Sequence, residues 1–532
     1  MRFKNSPQQN RLFDVFQGIL SPLAYKALLG GWEHVFRRTL LGLMPVRVVE
    51  DHFDPRIGQP TKELYSMCAL VFIMEFKDWT AAEAARAYMF NADLQYALNL
   101  DPENQSMSSR TVERYKKLIV EDELAGQIME DITAKLIDSL QLNISKQRLD
   151  STHIQSNMAE FGRTRMMGVA VKRFFTQLKR HDRETYDGLP EELRTRYQPS
   201  GYLLFGDVQK DAESRQLLRE QVARDMLNLI KRFAADEKHN TRSTYTLLVR
   251  VFNEQCEVIE DAIAIRPHPG GDVIQNTSDP DATRDGKKGP GYQVQLVETC
   301  DDENDVQLIT AAIPQTAAEP DSEAIQPVLD MLEKNGRSPE SMLADTAYGG
   351  SDNVQACEEK GVELVSPTPG RKADDAYAIN SDDFVVDEAT GEVERCPCGE
   401  RPLESSRDEA KGETIVVMVA SKCEVCAHRD VCPTRRRKDG NYAFRFTEKQ
   451  RRLDARRREE DTDVFRERYR KRSGIEATNS ILKRVTGIGR LRVRGRPRVF
   501  HAILLKVAGW NLLQAVRALA MRNNHQRAVA LG

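Results

Sequence analysis

Two apolar segments that each run into an aspartate constrain the fold of this chain more than any other feature. Residues 144–154, ISKQRLDSTHI, indicate a strand that turns polar at Asp150, and the segment MLAD indicates a second strand that ends at Asp345. An aspartate at a strand end can project its carboxylate into a cleft at the edge of a sheet. Taken alone, Asp150 is more simply explained as the cap of a turn, so the elements around it decide the interpretation.

The elements between the two aspartates follow a recognisable order. Residues 291–300 and 306–313 alternate as strands around the acidic turn DDEND, which predicts a β-hairpin. A helix over 322–334 precedes MLAD, and another helix begins near Ser351. Strand with Asp, hairpin, helix and strand with Asp is the order expected for a ribonuclease-H-like core. It would bring both carboxylates to one edge of a mixed sheet.

Helical patterns surround this core. Residues 1–140 carry apolar helical spacing with a capping box at Thr80 and Glu83 and a second helix start near Ser108. They suit either a DNA-reading helix-turn-helix or a plain helical bundle. The charged, striped residues 157–240 indicate a helical insertion after the first strand. Strand-like segments then appear at 245–252 and 258–265.

A third motif lies near the C-terminus, in YRKRSGIEATNSILK. It spaces Tyr469, Arg472, Glu476 and Lys483 so that a continuous helix would place all four within about 60° of one face. One carboxylate among cationic and aromatic groups suits a metal ligand beside phosphate-binding side chains. An exposed helix carrying a few charges is the alternative. Gly474 costs a helix interior about 1 kcal/mol, so a bend or a helix start is expected beside it.

Charge is distributed unevenly along the 532 residues. Residues 435–498 contain 23 Lys and Arg against 9 Asp and Glu, whereas the whole chain has a net charge of −3. Such a basic segment indicates a polyanionic partner, and it lacks an apolar face that would anchor it to a membrane. A disordered basic arm is the alternative. No apolar run is long and uninterrupted enough to predict a membrane span, and the N-terminus lacks a secretory signal, so we expect a cytoplasmic protein.

Five of the nine cysteines fall within 37 residues, as Cys396-Pro-Cys398-Gly, Cys423-x-x-Cys426 and Cys432. Clustered thiols in a cytosolic protein favour a metal over disulfides, and two thiolates from one turn suit a tetrahedral Zn²⁺. The preferred ligands are Cys396, Cys423, Cys426 and Cys432, with Cys398 or His428 as alternates. Free structural thiols are the competing interpretation.

The two aspartates and the Tyr, Arg, Glu, Lys motif together resemble the DDE transposases of bacterial insertion sequences, in the subgroup named for that motif. The resemblance covers most of the chain, including a cysteine-containing insertion before the glutamate. It implies that Asp150, Asp345 and Glu476 are catalytic and hold Mg²⁺ or Mn²⁺. It also implies that Tyr469, Arg472 and Lys483 contact DNA near the cut.

The resemblance further implies an enzyme that binds the terminal inverted repeats of an element, cleaves phosphodiester bonds there and joins the ends to target DNA. Two aspartates and a glutamate can hold two divalent ions roughly 3.5–4 Å apart, and hard oxygen ligands select Mg²⁺ or Mn²⁺. Double-stranded DNA is the expected partner, with a homodimer in the synaptic complex and a location at the bacterial nucleoid. A metal-dependent nuclease without strand transfer and a non-catalytic, domesticated DNA-binding protein remain alternatives.

The expected fold class is α/β, with a ribonuclease-H-like mixed-sheet catalytic core, a helical N-terminal domain, a helical insertion and a small zinc-ribbon-like insertion. The expected boundaries are 1–140 for the N-terminal domain, 141–352 for the first part of the core, 353–460 for the cysteine-containing insertion and 461–532 for the C-terminal part of the core.

Overall fold

The computed structural model describes residues 2–5, 14–103, 105–158, 162–199, 203–206, 211–260, 262–370, 379–387 and 389–531, with side chains up to residue 522. Before the first strand, the regular structure of the described residues is helical, as the sequence predicts. Its α-helices are α1 (Val15–Ile19), α2 (Pro22–Leu29), α3 (Trp32–Val35), α4 (Val46–Glu50), α5 (Leu64–Phe76), α6 (Ala81–Phe90), α7 (Ala92–Ala97), α8 (Ser109–Glu121) and α9 (Leu124–Leu140).

Local capping signals explain where two of these helices begin. The Thr80 side chain accepts a hydrogen bond from the Glu83 amide, and the Glu83 carboxylate accepts one from the Thr80 amide, so the predicted capping box is present. Ser108 caps α8 by accepting from the Thr111 amide. Lys116 of α8 pairs with the buried Glu75 of α5, so it stabilises helix packing and is not exposed towards DNA.

The first strand, β1 (Lys146–Gln155), leads into a helical insertion with its own hydrophobic core. The sequence prediction of a strand over 245–252 is wrong, because these residues lie in a helix whose apolar side chains pack into that core. The insertion contains α10 (Arg163–His181), α11 (Arg183–Asp187), α12 (Glu191–Arg196), α13 (Ala212–Phe233), α14 (Glu237–Asn240), α15 (Ser243–Gln255) and the hairpin of β2 (Cys256–Ile259) and β3 (Ala262–Ile265).

The central sheet then continues with the hairpin, helix and strand in the predicted order. Its remaining elements are β4 (Thr283–Asp285), β5 (Gly289–Thr299), β6 (Ile309–Thr316), α16 (Ile325–Lys334), β7 (Ser341–Leu343), α17 (Ser351–Glu359) and β8 (Glu363–Val365). Strand β1 lies between β5, which is antiparallel to it, and β7, which is parallel. β6 pairs with β5 and β8 with β7. This mixed sheet is consistent with a ribonuclease-H-like core.

A second, smaller sheet follows. It comprises β11 (Glu404–Asp408), β12 (Glu413–Met418), β14 (Tyr442–Thr447) and β13 (Arg435–Arg436) in that spatial order, beside the pair β9 (Val385–Val386) and β10 (Val393–Arg395). The short helix α18 (Ala420–Cys423) precedes β13, and α19 (Glu448–Glu460) follows β14. The basic segment 434–440 therefore contributes strand β13 to this sheet. Phe384, Val416 and Phe446 form part of this region's own core.

The C-terminal segment returns to the central sheet through α20 (Asp463–Arg470), a 3-10 turn at Lys471–Ser473, α21 (Gly474–Thr486) and α22 (Arg496–Leu531). α22 packs against α5, α9 and β6, so the N-terminal helices, the sheet and the C-terminal helix share one hydrophobic core. By length and composition Arg496–Arg522 could cross a membrane, but 78% of its most apolar window is buried inside the protein. This is the environment of a core helix.

Lys506 of α22 joins three of these helices. Its side chain is 1% exposed, and its ammonium donates to the Glu75 carbonyl at 2.8 Å, the Thr486 carbonyl at 2.5 Å and the Asp78 carboxylate at 2.9 Å. The two carbonyls lie at the C-terminal ends of α5 and α21, where a cation is favourable. Lys506 therefore fixes the end of α21 relative to the N-terminal helices.

Candidate active site

The pairing of β1 with β7 places the two predicted aspartates side by side. In this parallel pair Arg148 lies opposite Leu343. Asp150 follows two residues later on β1, and Asp345 follows two residues after the end of β7. The sequence prediction put Asp150 at the end of a strand, whereas it lies in the middle of β1. Because β7 ends at Leu343, no strand pairs with β1 beside Asp150 on that side, and Arg472 and Asn479 contact the Asp150 carboxylate instead.

The Tyr, Arg, Glu, Lys motif does not lie on one continuous helix as its spacing suggested. Tyr469 is in α20, Arg472 is in the 3-10 turn, and Glu476 and Lys483 are in α21. The interruption falls beside Gly474, where the sequence predicts a bend. From this turn Arg472 reaches Asp150 on the sheet, and Glu476 lies in the first turn of α21.

Arg472 contacts all three predicted carboxylates. Its Nη2 lies 3.1 Å from Asp150 Oδ1 and 3.8 Å from Asp345 Oδ2, and its Nη1 donates to Glu476 Oε1 at 2.5 Å. The Arg472 side chain is 15% exposed, so these charges attract one another in a partly desolvated environment. Three carboxylates that are far apart in the sequence are thereby brought to one guanidinium. We call Asp150, Asp345, Arg472, Glu476 and Asn479 the carboxylate site.

Asn479 belongs to this site although the sequence analysis did not single it out. Its Nδ2 donates to Asp150 Oδ2 at 3.0 Å, and its Oδ1 is buried without a hydrogen-bond partner. It lies three positions after Glu476 on α21, on the same helical face. That spacing was the only sequence signal for it, and it is shared by many helical residues.

A buried ion pair contacts the turn that carries Arg472 of the carboxylate site. Arg148 of β1 pairs with Glu298 of β5, with Nη2 2.5 Å from Oε2, and its Nη1 donates to the Lys471 carbonyl at 2.9 Å. Thr478 of α21 donates to the other oxygen of Glu298 at 2.7 Å. A β-carbon at Gly474 would lie 2.0 Å from Arg148 Nη1. Glycine at this position therefore lets the guanidinium reach the turn that holds Arg472.

A polar network on the opposite face of the sheet links the residue that follows Asp150 on β1 with the loop that follows Asp345. The hydroxyl of the fully buried Tyr348 donates to Gln295 Oε1 at 2.6 Å. Gln295 Nε2 donates to Asp321 Oδ1 at 2.9 Å, and the Ser151 hydroxyl donates to the other oxygen of Asp321 at 3.0 Å. Asp321 thus connects the residue after Asp150 with the loop after Asp345.

Burial and neighbouring charges shift several pKa values in the carboxylate site. Burial raises the pKa of Asp150, and Asp345 and Glu476 add to this effect while Arg472 opposes it. For Arg472, burial acts to lower the pKa, but the surrounding carboxylates and Tyr469 outweigh it and raise the pKa. The site therefore favours one cation among several acidic groups.

Tyr469 and Lys483 flank this cluster. The Tyr469 ring stacks on Phe465, with centroids 5.7 Å apart and planes 14° apart, and burial raises the pKa of its hydroxyl. Burial and the charge of Lys288 lower the pKa of Lys483, whereas Asp150 opposes that change. Both side chains lie within electrostatic reach of the carboxylates, so the structure brings all six predicted catalytic and DNA-binding residues into one region.

The donor atoms of the carboxylate site fit a hard divalent cation in kind. Three carboxylates and the unpartnered amide oxygen of Asn479 are ligands that Mg²⁺ or Mn²⁺ prefers. As the described residues stand, no three acidic, histidine or cysteine side chains surround one point closely enough to hold a metal. The guanidinium of Arg472 lies among the carboxylates. Its positive charge therefore interacts with the same carboxylates that would bind a metal ion.

The clustered cysteines converge on the small sheet. All five line one cavity of about 30 Å³: Cys396, Cys398, Cys423, Cys426 and Cys432. The Cys398 and Cys426 sulfurs are 3.0 Å apart, so the alternate ligand Cys398 contacts a preferred one, although Cys398 is exposed and the four preferred ligands are half-buried. The hydrogen bond to Cys426, together with burial, raises the pKa of Cys398 to about 12. His428 does not line this cavity.

Comparison with known proteins supports a transposase. Residues 267–512 match the family model described as a transposase DDE domain. This span includes Asp345, Arg472, Glu476 and Lys483, and it begins after Asp150. No curated protein and no solved structure matches the chain.

Proposed function

We propose that this chain is a transposase of a bacterial insertion sequence that cleaves phosphodiester bonds at the ends of its element and joins them to target DNA. The observation that carries the proposal is the contact of Asp150, Asp345 and Glu476 with the single guanidinium of Arg472. Asp345 and Glu476 lie within the matched family region, and this contact adds Asp150 as a third acidic residue.

In this proposal Asp150, Asp345 and Glu476 are the ligands of Mg²⁺ or Mn²⁺. Two such ions, when bound, activate the attacking hydroxyl and stabilise the leaving oxygen of an in-line displacement. Asn479 orients Asp150 through its amide hydrogen bond. The Arg148–Glu298 pair holds the sheet and the turn at Lys471–Ser473 in register, so that Glu476 faces the two aspartates.

Arg472, Tyr469 and Lys483 bind DNA beside the carboxylates. The planar fork of Arg472 matches phosphate oxygens as well as carboxylates, so the same side chain can exchange one anion for the other. Lys483 adds a second cation, and its lowered pKa reflects a partly desolvated position. Tyr469 presents an aromatic ring that is already ordered by stacking on Phe465.

The N-terminal helices, residues 1–140, bind the terminal repeats in this proposal, and a homodimer brings two ends together. Basic side chains on α8 are the candidates for phosphate contacts, with the exception of Lys116, which pairs with Glu75. The protein's substrates are double-stranded transposon ends and target DNA.

The cysteine cluster holds a structural Zn²⁺ in this proposal. Cys396, Cys423, Cys426 and Cys432 remain the proposed ligands, and Cys398 is the alternate that the short contact with Cys426 favours. Thiolates at one small cavity suit tetrahedral zinc, which would fix the ends of the small sheet.

The test is Mg²⁺-dependent cleavage and joining of DNA that carries the ends flanking this reading frame. Glu476→Gln should abolish cleavage while DNA binding persists, because the amide cannot supply a charged ligand. Glu467→Gln, an exposed position on α20, is the matched control and should retain full activity. Cleavage without joined product would instead indicate a nuclease, and binding without cleavage by the wild type would indicate a non-catalytic DNA-binding protein.

A further inference from the structure

A wide groove lies outside the carboxylate site, between the small sheet and α19. Its volume is about 910 Å³, and its walls include five arginines: Arg435, Arg436, Arg437, Arg445 and Arg457. We call it the arginine groove. Two acidic residues, Glu404 and Asp454, also line it, so arginines outnumber acids in its walls.

Strand register explains why Arg435 and Arg445 lie on one face of the small sheet. Arg435 of β13 pairs with Ala443 of β14, and alternation along β14 places Arg445 on the same face as Ala443. The opposite face of β14 carries Phe444 and Phe446, which pack towards the core of the small sheet. Ile415, Val417 and Phe444 also line the groove, so its walls combine apolar side chains with the arginines.

Acidic partners compensate part of the groove's positive charge, because Arg436, Arg437 and Arg457 lie within 4.0 Å of the carboxylates of Glu424, Asp439 and Asp454 respectively. Asp454 is buried and already accepts hydrogen bonds from the Ser381 amide and hydroxyl. Arg436 pairs with Glu424 only at the surface, where such a pair contributes little. Arg435 and Arg445 are exposed and have no acidic partner among the residues that the structure describes. Their charges are available to an external anion.

The arginine groove is fixed relative to the carboxylate site by α19. Arg456 donates to the Gly349 carbonyl at 2.7 Å and to the Ser366 carbonyl at 2.9 Å. The Ser366 hydroxyl in turn donates to the Asp345 carbonyl at 2.6 Å. The next residue, Arg457, lines the groove. One helix thus contacts the loop of the second aspartate and forms a wall of the groove.

We propose that the arginine groove binds the phosphate backbone of double-stranded DNA, as a second contact region beside Tyr469, Arg472 and Lys483. Guanidinium forks match phosphate oxygens, and duplex DNA presents a regular row of such charges. Arg435 and Arg445, which are exposed and unpaired among the described residues, are complementary to this polyanion. This inference rests on the proposed function, because it assumes that the chain acts on DNA.

The experiment compares the full-length protein with the double variant Arg435→Gln/Arg445→Gln. Binding of a labelled duplex is measured without divalent cations over a series of salt concentrations. Losing two phosphate contacts should weaken binding and reduce the slope of log affinity against log salt by roughly 1.8. Arg401→Gln/Arg452→Gln removes the same charge from exposed positions of the same region outside the groove, and its slope should equal that of the wild type.

Two duplexes distinguish the source of the DNA. An equal reduction on element-end DNA and on an unrelated duplex supports a groove for any backbone, including target DNA. A reduction on end DNA alone supports a groove that holds the flank of the cut. An unchanged slope on both, or an equal reduction in the control variant, would overturn the inference. Cleavage by the wild type is scored separately, so the groove can fail while the proposed function stands, and the reverse.

Discussion

The carboxylate site and the arginine groove both take arginines from the same basic C-terminal segment. Arg472 differs from the groove's Arg435 and Arg445 in the number of acidic side chains around it. Arg472 faces three carboxylates, and its neighbour Lys471 pairs with Asp302. Arg435 and Arg445 have no acidic partner among the described residues. The number of basic residues in this segment therefore overstates the unpaired positive charge near Glu476. It is a better guide in the arginine groove, where Arg435 and Arg445 are unpaired. Which arginines face outward is decided by strand pairing and long-range contacts.

The two regions should also differ in how much their arginines stabilise the fold. Arg148→Met leaves Glu298 buried without its partner, and breaking such a pair typically costs about 3–5 kcal/mol. Arg445→Gln changes an exposed side chain and should alter stability by less than about 0.5 kcal/mol. Urea unfolding midpoints of both variants check the contrast. Equal midpoints would mean that the buried pair contributes nothing to the fold.

The pH dependence of the same variant sharpens this prediction. Burial raises the pKa of Glu298 above its usual range, and Arg148 opposes the shift. A carboxyl with a raised folded-state pKa stabilises the protein most below its unfolded pKa, and this contribution is lost as pH rises through the folded value. Without Arg148 the pKa rises further. The deficit of Arg148→Met should therefore be smallest at acid pH and grow towards neutrality, whereas a constant deficit would contradict this account.

The glycine beside Arg472 offers a second, smaller test. Gly474→Ala places a β-carbon against Arg148 Nη1, whose ion pair and hydrogen bond resist displacement, so we expect a loss of about 1–3 kcal/mol. Gly126→Ala in α9 is the matched control, since no atom lies within 4 Å of the added carbon and alanine should stabilise the helix by up to about 1 kcal/mol. Thermal unfolding of the two variants should shift in opposite directions. A shift in the same direction would mean that Arg148 moves without cost.

The network beneath the aspartates should give the smallest effect. Tyr348→Phe removes the hydroxyl that donates to Gln295, at an expected cost of roughly 1–2 kcal/mol. Cleavage should fall as well, because Gln295 and Asp321 connect this loop to Ser151. Tyr65→Phe, at a half-buried position in α5, controls for loss of a hydroxyl. Normal cleavage and stability in Tyr348→Phe would exclude a positioning role for the network.

Much of the core was predictable because its elements carry local signals. The strand, hairpin, helix and strand between Lys146 and Leu343 follow the expected order, and the capping box at Thr80 marks its helix correctly. The strand predicted for residues 245–252 is wrong because their β-branched and aromatic side chains favour a strand locally. Packing against the helical insertion overrides that preference.

The side chains that hold the carboxylate site in place could not be predicted, because residues that contact one another here are far apart in the sequence and follow no regular spacing. Asn479 and Asp150 are 329 positions apart, and Arg148 and Glu298 are 150 apart. The motif itself was visible, but its apparent helical face did not reveal the turn at Lys471–Ser473. Its geometry depends on Arg148 reaching past Gly474, which only the fold shows.

The most direct test of the central claim is cleavage by Asp150→Asn, since Asp150 lies outside the matched family region and joins the site through the register of β1 and β7 and its contacts with Arg472 and Asn479. The assay uses element-end DNA with Mg²⁺, and Asp138→Asn on the exposed face of α9 serves as the control. We expect cleavage by Asp150→Asn to fall by roughly 10³-fold or more while DNA binding and the control remain normal. Cleavage at the wild-type rate would contradict a site built from Asp150, Asp345 and Glu476.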